Sequence, residues 1–186
     1  MSPRPSFYAL ASEQDGYFAA WQAVAAGYSR PALTQAVDAG RLVHARRGVY
    51  RLVEYPAGEN EDIVQAWLWS TGLDEEHEGG VVSHETALAL HGLSDALPAL
   101  IHLSVPASWR CRRMKVPAGV RLHFQDVPPE DRAWHGAVPV TKPLRAVIDS
   151  AVDHVQPDLV AQAVRDGVAR GLFAAADVAR ILPVTA

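Results

Sequence analysis

The segment GYSRPALTQAVDAGRLVHARRGVYRL, residues 27–52, decides the fold of the N-terminal part of this chain. It predicts a helix that begins after Ser29, a good N-cap residue, and ends at Gly40, the residue type that most often follows a helix C-terminus. Leu33, Ala36 and Val37, spaced three and four residues apart, mark the buried face of that helix. A short and strongly basic hairpin is expected directly after it.

The hairpin follows from two strand-like runs, residues 42–45 and 49–53, on either side of Arg46-Arg47-Gly48. Gly48 supplies the positive φ that a tight hairpin turn needs. Upstream, residues 7–11 suit a short helix. A second helix is expected to end at Gly27, with one face formed by Phe18, Trp21, Val24 and Ala25. Helix, turn, helix and basic hairpin occur in the order of a winged helix-turn-helix, which we place at residues 1–56.

Arginine is concentrated in this segment, as in nucleic-acid-binding modules. The chain has a formal net charge of −4, yet residues 1–56 carry six Arg against four acidic residues. The third helix is expected to face bases in the major groove, and the hairpin arginines to contact phosphates or enter the minor groove. An arginine-rich, merely solvated hairpin is the alternative. The predicted DNA contacts are Ser29, Arg30, Thr34, Gln35, Arg41, Arg46, Arg47 and Arg51.

The remainder, residues 57–186, is predicted to be a second, mixed α/β domain, so the whole chain is of the α+β class. Three strands are expected, at residues 101–105, 120–124 and 137–140, with amphipathic helices before and after them. A basic loop lies between the first two strands. Its side chains either contact phosphate or an acidic partner, or are only solvated: Arg110, Arg112, Arg113 and Lys115.

No pattern in the sequence indicates catalysis, a cofactor or a metal. His84 and His91 share a helix face but lack metal-site spacing, and structural roles are expected for both. Asp149 and Asp153, one helical turn apart, are expected to be solvated. The single cysteine, Cys111, forms no internal disulfide, and no apolar run reaches membrane-spanning length. We therefore expect a soluble, cytoplasmic protein that is not an enzyme.

Five segments in order resemble the AbiEi family of type IV antitoxins and transcriptional regulators. They span roughly residues 7–155 and read GYSRPALTQAVDAGRLVHARRGVYRL, VVSHETALALHGLSD, IHLSVP, GVRLHF and PVTKPLRAVIDSA. The resemblance implies an N-terminal winged helix-turn-helix that represses its own operon by binding promoter DNA. It also implies a C-terminal antitoxin domain whose partner is a nucleotidyltransferase-like toxin, held with or without a stable complex.

Three functions remain open at this point. The first is an autoregulating antitoxin, the second a stand-alone winged-helix regulator without a toxin partner. The third is the DNA-binding head of relatives that carry a nuclease-like domain of the Vsr type. The family's C-terminal region is often longer than the segment that follows residue 56 here.

Overall fold

A computed structural model describes residues 5–56, 58–73, 78–153 and 155–181. The chain divides into two compact units, the first formed by Met1–Gly80 with Gly136–Val138, the second by Val81–His135 with Pro139–Ala186. Both combine helices with a sheet, which confirms the α+β class. Within the described ranges, no helix has both the length and the apolar character needed to cross a bilayer.

The first unit carries a three-stranded antiparallel sheet in the order β1 (Tyr17–Ala19), β3 (Val49–Leu52), β2 (Leu42–Arg46). Three helices precede the β2–β3 hairpin, with β1 between the first two of them. This helix–strand–helix–helix–hairpin order is the expected winged helix-turn-helix. Its elements are α1 (Phe7–Ala11), β1 (Tyr17–Ala19), α2 (Ala20–Ala25), α3 (Arg30–Asp38), β2 (Leu42–Arg46) and β3 (Val49–Leu52), followed by α4 (Glu61–Thr71).

Aromatic rings and small apolar residues form the core beneath α3. Phe18 stacks on Phe7 with ring centroids 5.6 Å apart, and on Tyr50 at 5.9 Å. Leu33 and Leu42 are almost fully buried against the same cluster. Because α3 inserts Leu33 into this core, its opposite face is fixed toward solvent.

The predicted start of the second helix was wrong. Phe18 was expected on a helix face, but it lies in β1, which pairs with β3 in the register Phe18↔Tyr50. Asp15 and Gly16 turn the chain just before the strand with φ values of 51° and 84°. A Cβ on Gly16 would lie 2.5 Å from the Cγ atom of Tyr55, so only glycine fits this turn.

The first unit extends beyond residue 56 because α4 packs against β1 and α2. The indole of Trp21 donates to Thr71 Oγ1 at 2.9 Å, and Gln65 Nε2 donates to the hydroxyl of Tyr17 at 3.4 Å. The predicted winged-helix segment and α4 therefore share one packed unit.

The second unit is built on a five-stranded mixed sheet in the order β6 (Val120–Phe124), β5 (Ile101–Val105), β4 (Val81–Val82), β8 (Val138–Thr141), β7 (Arg132–His135). The β5–β6 and β4–β8 pairs are parallel, and the β4–β5 pair is antiparallel. Its elements are β4 (Val81–Val82), α5 (His84–Leu90), β5 (Ile101–Val105), β6 (Val120–Phe124), β7 (Arg132–His135), β8 (Val138–Thr141), α6 (Pro143–Val152), α7 (Pro157–Ala169) and α8 (Ala175–Ile181).

The three predicted strands of this unit are confirmed. Two have the expected bounds, residues 101–105 and 120–124, and the third is shifted by one residue to Val138–Thr141. The strand β7, Arg132–His135, was not predicted. Its four residues are exposed or half-buried and do not form the run of apolar side chains that identified the other strands.

Candidate nucleic-acid interface

The helix α3 presents a polar face opposite its buried stripe. Arg30, Thr34 and Gln35 are exposed, whereas Leu33 and Ala36 are buried. Arg30 and Thr34 lie one turn apart on the same side of this nine-residue helix, and Gln35 lies about 100° further around it. Side chains with such donor groups can reach base edges in a major groove.

The helix begins where the sequence predicts. The Ser29 hydroxyl accepts from the backbone N–H of Ala32 at 3.3 Å, so Ser29 acts as the N-cap. The Thr34 hydroxyl donates to the backbone carbonyl of Arg30 at 3.4 Å. Ser29 and Thr34 therefore have local structural bonds, while the side chains of Arg30 and Gln35 extend from the helix.

The β2–β3 hairpin carries arginines with different surroundings. Arg47 is exposed in the turn beside Gly48, whose φ of 74° matches the predicted hairpin geometry. Arg46, the last residue of β2, is half-buried, and its Nη1 atom is buried without a hydrogen-bond partner among the described residues. Arg41 is exposed just before β2. Arg41 and Arg47 are thus the freely accessible cations of this region.

Arg51 differs from the expected DNA contact, because its guanidinium is engaged inside the first unit. Its Nη2 atom donates to the backbone carbonyl of Tyr55 at 2.8 Å, and its Nε atom lies 3.7 Å from a Glu61 carboxylate oxygen. The guanidinium also lies 5.9 Å from the ring centroid of Tyr17. These contacts tie β3 to α4 and leave Arg51 outside the proposed interface.

The predicted basic loop lies in the second unit, over a short 3-10 helix, Ala107–Cys111. Arg110 donates to the carbonyl of Phe124 at 3.2 Å, and the Arg112 guanidinium lies 4.9 Å from the ring centroid of Trp109. Arg113 and Lys115 are exposed. The first two arginines therefore brace the loop against their own unit, and the last two point to solvent.

A second polar centre in this unit was not predicted. His84, the first residue of α5, is buried with a φ of 53°, and its Nδ1 atom lies 2.8 Å from Ser83 Oγ. Ser83, the residue before α5, makes no side-chain cap bond, and its hydroxyl oxygen accepts from the Ser104 hydroxyl at 2.8 Å. His91 is separate, with its Nε2 donating to the carbonyl of Thr141 at 2.7 Å.

Three histidines meet here, and we call them the imidazole cluster: His84, His102 and His123. His123 Nε2 lies 3.1 Å from His102 Nδ1, and the rings of His84 and His123 stack with centroids 3.5 Å apart. One ring nitrogen from each histidine lies within 4.8 Å of the other two. On its other side, His102 Nε2 lies 3.6 Å from the carboxylate of Glu85.

Burial governs the protonation of this cluster. It lowers the pKa of His84 to about 2 and that of His123 to about 4, and nearby histidines add to both shifts. The pKa of His102 is lowered as well, chiefly by burial and then by Arg121. The three imidazoles are therefore neutral at pH 7, each with one lone-pair nitrogen.

Asp149 in α6 and Asp153, the residue directly after α6, were expected to be solvated, and for Asp149 this was wrong. Asp149 is buried, and its Oδ1 atom accepts from Arg145 Nε at 2.8 Å. Asp153 is half-buried and accepts from Arg121 at 3.1 Å. Burial raises the pKa of Asp149, while the bond from Arg145 opposes that rise. Asp149 is therefore paired with Arg145, one helical turn before it, and Asp153 is paired with Arg121 of β6.

Sequence reasoning missed His102 and His123 as partners of His84. They lie on neighbouring parallel strands, where Ser104 is opposite His123 and His102 is two residues before Ser104. Both therefore occupy the same face of the sheet. The even spacing of His102 and Ser104 was visible in the sequence, but the parallel pairing of β5 with β6 was not.

Residues 8–53 match the family model described as "Transcriptional regulator, AbiEi antitoxin". The resemblance to the AbiEi family is confirmed. The matched AbiEi segment holds all eight predicted DNA-contact residues and stops just after β3.

The fold of the chain also occurs in a solved structure, the crystal structure of the RV2827C protein from Mycobacterium tuberculosis. The TM-score is 0.55 and the sequence identity 15%, and the match covers 98% of this chain and 73% of that one. At this identity the likeness shows the fold alone. No curated protein matches the chain.

Proposed function

We propose that this protein is a transcriptional regulator that binds double-stranded operator DNA through its AbiEi segment. The observation that carries the proposal is the exposed face of α3, where Arg30 and Gln35 project away from a packed core. An exposed Arg47 at the hairpin turn lies within the same segment. A helix and a basic hairpin held on one small core are the parts that a winged helix uses on DNA.

The chemistry of each side chain sets its role. An arginine donates two parallel hydrogen bonds to guanine O6 and N7, and glutamine bonds adenine at N6 and N7. Arg30 and Gln35 are therefore assigned to base reading. Thr34 lies between them and is suited to contact a base or its methyl group. Ser29 holds the start of α3 through its cap bond, which orients the residues that follow.

Arg41 and Arg47 are assigned to the phosphate backbone, and Arg46 supports the hairpin beside them. A guanidinium at an exposed turn neutralises a phosphate and releases a condensed counterion. Each such contact steepens the salt dependence of binding without adding sequence preference. The net positive charge of residues 1–56 within an otherwise acidic chain favours the same orientation toward DNA.

The experiment is a titration of a fluorescent duplex from the protein's own promoter at several salt concentrations. Wild type should bind with an affinity that falls steeply with salt, and Arg47→Ala should lower the log–log slope by about 0.9. Arg165→Ala is the matched control, because it removes one exposed charge from α7 in the other unit.

The slope of Arg165→Ala should equal that of wild type. If Arg47→Ala and Arg165→Ala behave alike, the hairpin does not contact phosphate and the proposed orientation is wrong. If wild type shows no salt-dependent binding of any duplex, the DNA-binding proposal itself fails.

We further propose that the protein is an antitoxin of a type IV system that represses its own operon. Its support is the AbiEi family description together with the sequence resemblance to type IV antitoxins, whose partner is a nucleotidyltransferase-like toxin. In the second unit, Arg113 and Lys115 are exposed in a basic loop that is suited to contact phosphate or an acidic partner. Co-expression with a toxin gene encoded beside it should restore growth.

Failure of rescue, with promoter binding intact, would favour the stand-alone regulator. Loss of rescue in an Arg113→Ala/Lys115→Ala variant that still binds the promoter would assign the basic loop to neutralisation. An unchanged rescue in that variant would leave the loop as a solvated surface.

A further inference from the structure

The imidazole cluster lies outside the AbiEi segment, and the DNA-binding proposal does not use it. It joins three elements of the second unit: His84 begins α5, His102 lies in β5, and His123 lies in β6. His84 and His102 are each only 3% exposed. Two buried histidines and the half-buried His123, with converging nitrogens, are a costly arrangement for a core, because apolar residues would pack there without polar atoms to satisfy.

We propose that the imidazole cluster is a binding site for one divalent transition-metal ion, with zinc as its natural occupant. Three imidazole nitrogens are a donor set that zinc accepts, and the fourth position of such a site is filled by water or a ligand. The proposal concerns an ion held between α5 and the β5–β6 pair.

The separation of two donors already suits the ion. Zinc–nitrogen bonds of about 2.0–2.1 Å place two tetrahedral ligand atoms about 3.3–3.4 Å apart. His102 Nδ1 and His123 Nε2 are 3.1 Å apart, and one ring nitrogen from each of the three histidines lies within 4.8 Å of the others. Zinc binding would bring all three nitrogens to about 3.3–3.4 Å from one another.

The outer contacts fix which nitrogen of each ring faces the ion. Glu85 lies 3.6 Å from His102 Nε2, which leaves Nδ1 of that ring for the metal. Ser83 Oγ lies 2.8 Å from His84 Nδ1, which leaves Nε2. Carboxylate and hydroxyl groups behind ligating histidines are the usual second layer of a zinc site, where they set the tautomer and orient the ring.

Two features of the surroundings support a ligand at this place. His84 has a φ of 53°, and non-glycine residues in this left-handed region concentrate at binding and active sites. Asp149, whose carboxylate is buried, lines the same cleft as His84 and His123.

The test uses the full chain, stripped with a chelator and dialysed against Zn²⁺ alone. Elemental analysis should find one zinc per chain in wild type, and replacement with Co²⁺ should give the visible absorption of a tetrahedral site. His102→Gln and His123→Gln should each weaken zinc binding by at least about 100-fold. Glu85→Gln, which leaves all three ligands in place, should weaken it by about 10–100-fold.

His44→Gln is the matched control, because His44 is an exposed histidine in the other unit. It should keep full zinc binding, and circular dichroism should show that every variant used is folded. Equal zinc content in wild type and a folded His102→Gln/His123→Gln variant would overturn the proposal. So would undiminished binding by folded Glu85→Gln, and so would loss of zinc on His44→Gln, which would assign the ion to the surface.

Discussion

Arg145 donates from Nε to Asp149 Oδ1 and from Nη1 to Asp131 Oδ2, both at 2.8 Å. One guanidinium therefore joins the middle of α6 to the residue just before β7. The carboxylate of Asp149 is almost fully buried, so its charge depends on Arg145. Removing the cation would leave that charge in a poorly solvated place.

Arg145→Ala should lower the free energy of unfolding by about 2–4 kcal/mol, because an uncompensated buried carboxylate remains. Urea unfolding at pH 7 measures the change. Arg121→Ala is the control, since Arg121 makes one ion pair from a half-exposed position and should cost no more than about 1 kcal/mol. Equal losses of unfolding free energy in the two variants would show that the burial of Asp149 does not cause the loss in Arg145→Ala.

Tyr17 should make the first unit sensitive to alkali. Burial raises its pKa to about 12, and the neighbouring Glu61 carboxylate adds to the rise. The folded state keeps this proton while the unfolded state releases it near pH 10. Stability is therefore fully present below pH 10 and is lost as pH rises toward 12, by up to about 1.4 kcal/mol per pH unit.

Urea unfolding of wild type and Tyr17→Phe at pH 8, 10 and 11 isolates this effect. The difference in unfolding free energy between the two proteins should shift in favour of Tyr17→Phe above pH 10. A constant difference across the three pH values would contradict the assignment of this loss to Tyr17.

Gly16 and Gly48 have similar φ angles, but replacing each with alanine should destabilise the protein by different amounts. Gly48 has a φ of 74° and no atom within 4 Å of an added Cβ, so Gly48→Ala should cost only the backbone strain, about 1–2 kcal/mol. Gly16 has a φ of 84° and an added Cβ would meet the Tyr55 ring at 2.5 Å. Gly16→Ala should cost about 3 kcal/mol or more.

Thermal and urea unfolding of the two glycine variants provide the comparison. If Gly16→Ala is no worse than Gly48→Ala, the Tyr55 side chain is not packed against the turn as described. Gly48→Ala should also retain the fold of the winged helix, which makes it a usable probe of hairpin geometry in DNA binding.

The local parts of the fold were predictable from the sequence. Ser29 and Gly40 bound α3, and Gly48 marks the hairpin, because caps and turns depend on a few neighbouring residues. The three-residue strand β1 was not predictable, since its conformation comes from pairing with β3, more than 30 residues later. A non-local hydrogen-bonded ladder leaves no periodic signal in so short a strand.

In the candidate sites too, features set by neighbouring residues were predictable, and contacts between distant segments were not. The exposed face of α3 follows from the spacing of Leu33 and Ala36, so its polar residues could be named in advance. The engagement of Arg51 with Glu61 and the meeting of His102 with His123 depend on packing between distant segments. Composition and spacing carry no information on such contacts until the sheet order is known.

In the proposed complex with DNA, α3 reads base sequence while the hairpin holds the backbone. The most direct measurement is the ratio of affinities for the promoter duplex and for a scrambled duplex of equal composition, at fixed salt. Arg30→Ala/Gln35→Ala should reduce this ratio at least about tenfold, because each lost base contact removes about 1–3 kcal/mol of discrimination. An unchanged ratio in that variant, with wild type preferring its promoter, would show that α3 does not read base sequence.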